Sequence, residues 1–418
     1  MSTTTNIKAK LHTTFRALSH KDFRYFWLGQ CVSLIGTWMQ NIGQSWLVFS
    51  ITKSPLLLGL VGTLQFTPVL LFSLFAGVFV DRFPKRKLLL FTQSTAMTLA
   101  FILSALILTG RVRYWHVLII ATILGTVNTL DMPARQTFMI ELVGREDLMN
   151  AIALNSSIFN AARIIGPALA GLIMSLVGTG FCFLINGISF IPVLYGLTRI
   201  TPRPAARSGK SESNVLKEIK EGLVYVFSSR ILYGTILAVL VMGIFAMNFN
   251  VLVPVLAKNV LGQNEAGFGL LMSAMGAGSL VGAVIIAAGS KSGPRGTLLF
   301  LCSAATSVIL VLLGLVRIYF VSALLLGLVG ISNTAFFTTA NSTLQLNSGD
   351  EFRGRVVSLY TLVFGGSTPF GNLFAGGVSD RFGVLNCFIA SGAIIFLSVL
   401  GLQFIEGREK TDPDPAEG

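Results

Sequence analysis

Long apolar runs dominate this sequence and limit what it can fold into. A helix that crosses a bilayer needs about 20 mostly apolar residues. Twelve runs of suitable length can be delimited in the 418 residues, and we number them spans 1 to 12: 24–50, 55–80, 88–110, 116–140, 151–177, 180–198, 231–257, 267–289, 297–316, 318–342, 356–379 and 384–405. Only 12% of the residues are charged, whereas soluble domains carry roughly 25%. The sequence therefore predicts an all-α polytopic membrane protein.

One long polar segment divides the spans into two groups of six. Residues 199–230 begin as a Pro- and Ser-rich linker and continue as an amphipathic helix. This predicts an N-terminal six-helix bundle at 1–198, a cytoplasmic linker at 199–230, and a C-terminal six-helix bundle with a short cytoplasmic tail at 231–418.

The two halves repeat in sequence. A shift of 205 residues gives thirteen identities over the 59 positions of 125–183. The matches include three glycine-containing groups: Gly125, Asn128 and Thr129 with Gly330, Asn333 and Thr334; Gly166, Ala170 and Gly171 with Gly371, Ala375 and Gly376; Gly178, Cys182 and Phe183 with Gly383, Cys387 and Phe388. Internal repeats with a central site between them are typical of secondary transporters.

The basic residues predict the orientation. With both termini in the cytoplasm, 24 of the 31 Lys and Arg residues fall on the cytoplasmic side and six in outer loops, as the positive-inside rule requires. We therefore assign the basic excess to orientation in a bilayer and not to nucleic-acid binding. The polar, basic N-terminus lacks the apolar core of a signal peptide. We expect a multi-pass monomer in the inner (cytoplasmic) membrane.

Enzymes and ATP-driven pumps fit the sequence poorly. The four cysteines lie in apolar runs without a CxxC pair, so neither a disulfide framework nor a metal site is predicted. The stretch SGKS at 208–211 ends like a phosphate-binding loop, but Pro204 stands where its first glycine is needed. We expect no enzymatic activity and no cofactor. A membrane sensor that transports nothing remains an alternative.

The stretch GVFVDRFPKRK at 77–87 resembles the loop signature of the major facilitator superfamily. The family pattern Gly-x-x-x-Asp-Arg-x-Gly-Arg/Lys-Arg is matched, with Pro84 in place of its second glycine, at five positions: Gly77, Asp81, Arg82, Lys85 and Arg86. Segment 131–171 resembles the branch of macrolide-efflux and enterobactin-exporter-like proteins. The resemblance implies the twelve-helix major facilitator fold, a transport function, and a gating role for the five residues.

The chemistry of this stretch suggests how such a gate would work. Gly77 would let span 2 approach span 11, and Asp81 would then face the partially positive N-terminal end of that span near Arg355 and Val356. The contact would favour the outward-open state. An ordinary basic loop with an incidental acid explains the same residues.

Charges inside the membrane are few, and each is a functional hypothesis. Asp131 is the one acid of 18 that lies well inside a span, and Arg163 is the one deep basic residue. Arg135 follows Asp131 by one helical turn. These three residues are candidates for proton coupling, and a structural ion pair between spans 4 and 5 is the alternative. Pro133 is expected to end the regular helix near Asp131.

Span 5 carries the motif Gly166-Pro167-x-x-x-Gly171. It resembles the glycine–proline motif of antiporters and exporters in the superfamily, which favours export over uptake. Its small residues would let span 5 pack closely on span 8. Ordinary packing of small residues is compatible with the same pattern.

The substrate is predicted to meet neutral amides and aromatic rings. The candidates, any of which would also serve in hydrogen bonds between helices, are Trp38, Gln40, Asn41, Gln44, Asn128, Asn248, Asn250 and Asn333. Such a wall suits amphipathic molecules. We predict a secondary active exporter of drug- or siderophore-like molecules that works by alternating access in exchange for protons. A facilitator, or a sodium-coupled importer of a neutral solute, is the alternative.

Overall fold

The computed structural model describes residues 15–200, 215–289 and 296–408. Within these ranges the chain is helical and contains no β-strand. Its α-helices are α1 (Lys21–Thr52), α2 (Pro55–Arg82), α3 (Lys85–Leu108), α4 (Tyr114–Val143), α5 (Leu148–Val177), α6 (Thr179–Arg199), α7 (Val215–Ser228), α8 (Arg230–Phe245), α9 (Phe249–Val255), α10 (Glu265–Ala288), α11 (Gly296–Leu315), α12 (Tyr319–Leu346), α13 (Arg353–Phe382) and α14 (Val384–Arg408). Residues 1–14 of the predicted N-terminal tail, residues 201–214 of the linker, the loop at 290–295 and residues 409–418 lie outside the described residues.

Ten helical segments in the described ranges are long and apolar enough to cross a membrane, with α8, α9 and the π turn Leu256–Val260 taken as one segment. The prediction of an all-α membrane protein is confirmed. Two long helices, α1 and α13, are not among the ten. Both contain amides and hydroxyls that lower their hydropathy, such as Gln40 in α1 and Asn372 in α13, and these polar side chains are buried.

Predicted span 7 is not one continuous helix. It divides into α8, which ends at Phe245, and α9, which begins at Phe249. The Asn333 amide of α12 donates a 2.8 Å hydrogen bond to the carbonyl of Ala246, at the end of α8. A backbone carbonyl freed by a helix break inside a bilayer needs such a partner, so α12 stabilises the break.

The chain divides into two compact units. Unit 1 comprises Met1–Lys53, Leu64–Ser211 and Gln263–Ser273, and unit 2 comprises Ser54–Thr63, Glu212–Gly262 and Ala274–Gly418. The first residues of α2 thus belong with the second unit, and the first residues of α10 belong with the first.

In unit 1, α1 packs on α5 and α6, and α3 packs on α4 and α6. A short 3₁₀ turn, Arg16–Ser19, holds the start of α1 against α5. There the buried carboxylate of Asp147 accepts hydrogen bonds from Arg16 at 2.9 Å and from the His20 ring at 2.8 Å. Asn150 accepts a further bond from the backbone N–H of Ala17. This polar cluster fixes the N-terminal end of the unit.

In unit 2, α8 packs on α13, and α11 packs on α12 and α14. The linker helix α7 is attached to this unit by Glu221, which pairs with Arg355 at 3.0 Å. The Tyr225 ring stacks on Phe352 with centroids 4.3 Å apart, and its hydroxyl accepts a bond from the N–H of Gly349. The amphipathic helix therefore packs its aromatic side against α13 and the turn before it.

Some packing contacts recur at positions 205 residues apart. The Cys182 thiol approaches the carbonyl of Ala170 at 3.7 Å in unit 1, and the Cys387 thiol approaches the carbonyl of Ala375 at 3.8 Å in unit 2. Both cysteines are free and buried. The sequence repeat is thus accompanied by equivalent local packing in each unit.

Candidate functional site

Asp131 is the buried acid of α4, and its carboxylate is surrounded by donors. One oxygen accepts hydrogen bonds from the hydroxyl of Thr92 at 2.6 Å and the amide of Gln93 at 2.7 Å, both on α3. The other oxygen accepts two bonds from the Arg135 guanidinium, one turn along α4. Only 7% of the Asp131 surface is exposed, so these donors replace the water that an ionised carboxylate requires.

The Asp131 network reaches a third helix through Arg135, whose guanidinium donates to the Gln30 amide oxygen on α1. The expectation that Pro133 ends the helix is wrong, because α4 continues through it to Val143. The Thr137 hydroxyl donates to the carbonyl of Pro133 within this continuous stretch. The network therefore sits within a continuous helix.

Arg163, the other deep charge, lies on α5 apart from this network. Among the described residues it forms no ion pair, and its Nε is buried without a hydrogen-bond partner. All four hydrogen bonds to Asp131 come from Thr92, Gln93 and Arg135. The structure thus brings two of the three proton-coupling candidates together and leaves the third separate.

The predicted gating residues lie at the end of α2 and the start of α3. Asp81 is 59% exposed and lies 3.6 Å from Lys85, whose buried ammonium donates to the carbonyl of Val80. Arg86 donates to the carbonyls of Leu197 and Thr198, at 2.6 and 2.9 Å. Two of the basic residues therefore hold the last carbonyls of α2 and α6, which a helix end leaves unpaired.

Gly77 and Arg82 of the same motif are exposed. Inside unit 1 an added Cβ at Gly77 would meet no described atom within 4 Å. A close helix contact within that unit therefore does not account for this glycine. The contact expected between Asp81 and span 11 joins the two units and stays a prediction.

The glycine–proline motif of α5 faces two helices. A methyl group at Gly166 would lie 2.5 Å from the Cβ of Trp38 on α1, and one at Gly171 would lie 2.8 Å from the carbonyl oxygen of Glu265 and 3.1 Å from the Cα of Gly269 on α10. The Ser273 hydroxyl of α10 donates to the carbonyl of Ile164 at 2.9 Å. The small residues thus allow backbone-to-backbone packing.

Four substrate candidates are buried and engaged by neighbouring groups. The Gln40 oxygen accepts from Asn186 at 2.7 Å, Gln44 donates to Gln65 at 2.8 Å, and Asn333 donates to the backbone at the break of span 7. Asn248 donates to the carbonyl of Ile244 at that break. Gln40, Gln44 and Asn333 thus bond to neighbouring segments, which is compatible with the alternative interpretation, whereas Asn248 bonds within its own span.

The other four candidates retain accessible surface. In unit 1, Asn128 is exposed and Trp38 and Asn41 are partly exposed, and in unit 2 Asn250 is exposed. The Trp38 ring contacts Phe159 of α5 edge to face, with centroids 5.7 Å apart. A hydrogen bond to a neighbouring helix does not explain why an exposed amide stands in an apolar helix. These residues are therefore the better candidates for ligand contact.

Sequence reasoning missed several partners of the functional residues. Thr92 and Gln93 form an adjacent polar pair in the apolar run of α3, a signal that would have identified them as buried donors. Glu265, at the start of α10, accepts a 2.8 Å bond from the Trp46 indole, whose ring stacks on Phe268. Only tertiary structure reveals that second pair.

Comparison with known proteins places this chain in a transport family. Residues 12–415 match the family model described as "Transmembrane secretion effector". The chain is 26% identical to the staphyloferrin A transporter of Staphylococcus aureus and 22% identical to macrolide efflux protein A of Streptococcus pyogenes, over 93% of this chain and 97% of each relative. It is 24% identical to the enterobactin exporter of Shigella boydii over 82% of each chain.

Solved structures share the fold. The nucleoside transporter NupG superposes with a TM-score of 0.76, covering 92% of this chain and 99% of its own at 10% identity. The D-xylose–proton symporter superposes with a TM-score of 0.71, covering 90% and 97% at 15% identity.

Proposed function

Because the chain belongs to the transmembrane secretion effector family of the major facilitator superfamily, we propose that it exports amphipathic, drug- or siderophore-like molecules across the inner membrane. The single observation that carries this proposal is the match, over 82% or more of each chain, to a staphyloferrin transporter, a macrolide efflux protein and an enterobactin exporter. These relatives differ in substrate but agree in moving a small organic molecule. The protein acts as a monomer with both termini in the cytoplasm.

Transport proceeds by alternating access of two six-helix repeats. The equivalent cysteine contacts at positions 205 residues apart support this arrangement, and so does the equivalent pairing of glycines. Gly171 meets Gly269 in unit 1, and Gly376 meets Gly59 in unit 2. Close helix crossings without side chains between them let helices slide with little change in packing.

Asp131 couples export to proton entry. A carboxylate at this depth exchanges a proton only if its partners change, because every bond it now accepts favours the ionised form. Movement of Arg135 away from Asp131, toward Gln30, would release the proton-accepting oxygen. The donors bonded to both oxygens of Asp131 also favour a second candidate, in which the pair is structural and another group or ion supplies the coupling.

Substrate contacts come from the accessible candidates, Trp38, Asn41 and Asn128 in unit 1 and Asn250 in unit 2. Amide groups and an indole ring provide hydrogen bonds and apolar surface together, which suits molecules that carry both.

Everted membrane vesicles test the proposal. Erythromycin, enterobactin and ethidium are offered outside, and the vesicle lumen is made acidic. We expect at least one probe to accumulate against its gradient and a protonophore to abolish accumulation. Movement that only dissipates a gradient would indicate a facilitator, and accumulation driven by a sodium gradient would indicate sodium coupling. Binding without movement of any probe would favour a sensor.

A further inference from the structure

The position of Arg163 places a permanent charge deep in the bilayer. It lies 15 residues after Leu148 and 14 before Val177, the two ends of α5. At 1.5 Å of rise per residue, its Cα is about 22 Å from one end of the helix and about 21 Å from the other. A guanidinium remains charged at any physiological pH. Its backbone is therefore too deep for an ordinary interfacial arginine.

The deep acid of unit 1 is engaged elsewhere. Asp131 is occupied by Thr92, Gln93 and Arg135. The remaining carboxylates lie at helix ends or loops, where Asp81 pairs with Lys85, Asp147 pairs with Arg16, and Glu265 accepts from Trp46. No described acid pairs with Arg163, and its buried Nε has no acceptor.

Aromatic side chains flank the face of α5 that carries Arg163. Phe159 precedes Arg163 by one turn and Gly166 follows it by three residues, so all three share a face. Trp38 lies along this face, because its ring contacts Phe159 and its Cβ would touch a methyl group at Gly166. Phe159 is itself exposed. The guanidinium is thus accompanied by apolar aromatic surface.

We propose that Arg163 binds a carboxylate of the transported molecule, so that the preferred substrates are amphipathic acids. A guanidinium offers two parallel N–H donors to a carboxylate and excludes neutral analogues, which leave it unpaired. An unpaired charge at this depth is costly, and an acidic substrate would remove that cost on binding. The inference rests on the proposed function, since it names the substrate class of the same exporter.

Binding of matched acid and ester probes tests the proposal on the purified full-length protein. The probes are fusidic acid and nalidixic acid, each compared with its own methyl ester, which keeps the apolar body and removes the charge. We expect at least one acid to bind about 10- to 100-fold more tightly than its ester, the range of a hydrogen bond to a charged group. Equal binding of acid and ester in both pairs, or no binding of either acid, would overturn the proposal.

Variants assign the preference to Arg163. Arg163→Gln should bind acid and ester alike and retain the wild-type affinity for the ester, whereas Arg163→Lys should keep part of the preference. The control Arg199→Gln removes an exposed cation at the end of α6, which contacts Tyr195, and should keep the full preference. Acid preference that survives in Arg163→Gln refutes the assignment. If Arg163→Gln does not fold, the comparison of acid and ester on the wild type and on Arg163→Lys still tests the proposal.

Export is measured separately to distinguish the two proposals. If wild-type vesicles export erythromycin or ethidium and the purified protein shows no acid preference, the export function stands and the Arg163 proposal fails. If the protein prefers the acids but vesicles move no probe, including the acids, the acid site stands and the export function fails.

Discussion

Substituting Asp131 by Asn tests whether the α4 network is energetically important. The amide keeps the shape of the carboxylate and one acceptor oxygen for Thr92 and Gln93. It removes the negative charge opposite Arg135, which would then have only the Gln30 oxygen as a polar partner. Removing one partner of a buried ion pair costs about 3–5 kcal/mol, because the other charge stays buried. We expect Asp131→Asn to lower the free energy of unfolding by that amount.

A double variant measures the interaction energy between the two charges. Arg135→Gln alone leaves an uncompensated carboxylate and should cost a similar amount. The combination Asp131→Asn/Arg135→Gln leaves no buried charge, and amides still fill the space. It should lose no more stability than either single variant, so the interaction energy of the cycle is expected to be about 3 kcal/mol or more.

Reversible unfolding of the purified protein in mixed micelles, titrated with sodium dodecyl sulfate, measures these differences. Glu146→Gln serves as the control, because Glu146 is 89% exposed and lies 3.8 Å from Arg16, and such a pair contributes less than about 1 kcal/mol. Additive losses in the double variant, or an Asp131→Asn variant within about 1 kcal/mol of wild type, would refute the reasoning.

The same variant separates structure from coupling. If Asp131 carries the proton, Asp131→Asn retains substrate binding and loses uphill efflux, since an amide cannot cycle a proton. A folded Asp131→Asn variant that still concentrates a probe against its gradient would exclude Asp131 as the coupling group. The energy would then enter through another residue or ion.

Three further predictions concern packing, the N-terminal cluster and the gate. Gly171→Val should destabilise the protein by about 1–3 kcal/mol through overpacking against α10. Gly354→Ala should change stability little, because a Cβ there meets no described atom within 4 Å. Equal effects of the two substitutions in unfolding titrations would contradict this prediction. Asp147→Asn should cost about 1–3 kcal/mol, because the largely buried carboxylate accepts hydrogen bonds from Arg16 and His20; an unchanged unfolding midpoint would exclude that role. Asp81→Asn should leave stability nearly unchanged. It should shift the distances between spin labels, placed in the loop between spans 2 and 3 and the loop between spans 10 and 11, toward inward-facing states. An unchanged distance distribution would exclude the gate.

Hydropathy predicted most of the long helices, because the bilayer requires long apolar segments wherever the chain crosses it. The break of span 7 at 246–248 escaped prediction for a physical reason. Its sequence, Ala-Met-Asn, contains neither glycine nor proline, and the hydrogen bond to its backbone comes from Asn333, 87 residues away. Local sequence therefore carried no signal for it.

The candidate site was predictable only where spacing along one helix decides contact. The four-residue spacing of Asp131 and Arg135 places them on one face, and the structure contains that ion pair. Sequence could not decide whether Arg163 also joins the pair, because the relative rotation of α4 and α5 depends on packing. For the same reason, sequence could not separate the engaged Gln40 from the exposed Asn128.

The repeat separates the positions that pack the helices from the positions that carry deep charge. Shifting by 205 residues reproduces the glycine and cysteine positions that pack the helices, but it replaces Asp131 by Phe336, Arg135 by Ala340 and Arg163 by Thr368. Phe336 and Ala340 are fully buried apolar residues. Apolar side chains therefore stand in the second half at the positions of the ion pair in the first half. The charges of Asp131, Arg135 and Arg163 therefore have no counterpart at the equivalent positions of the second half. If protons act through Asp131 and acids through Arg163, both ligands act on helices of unit 1, so coupling between them requires that α4 and α5 respond to each other.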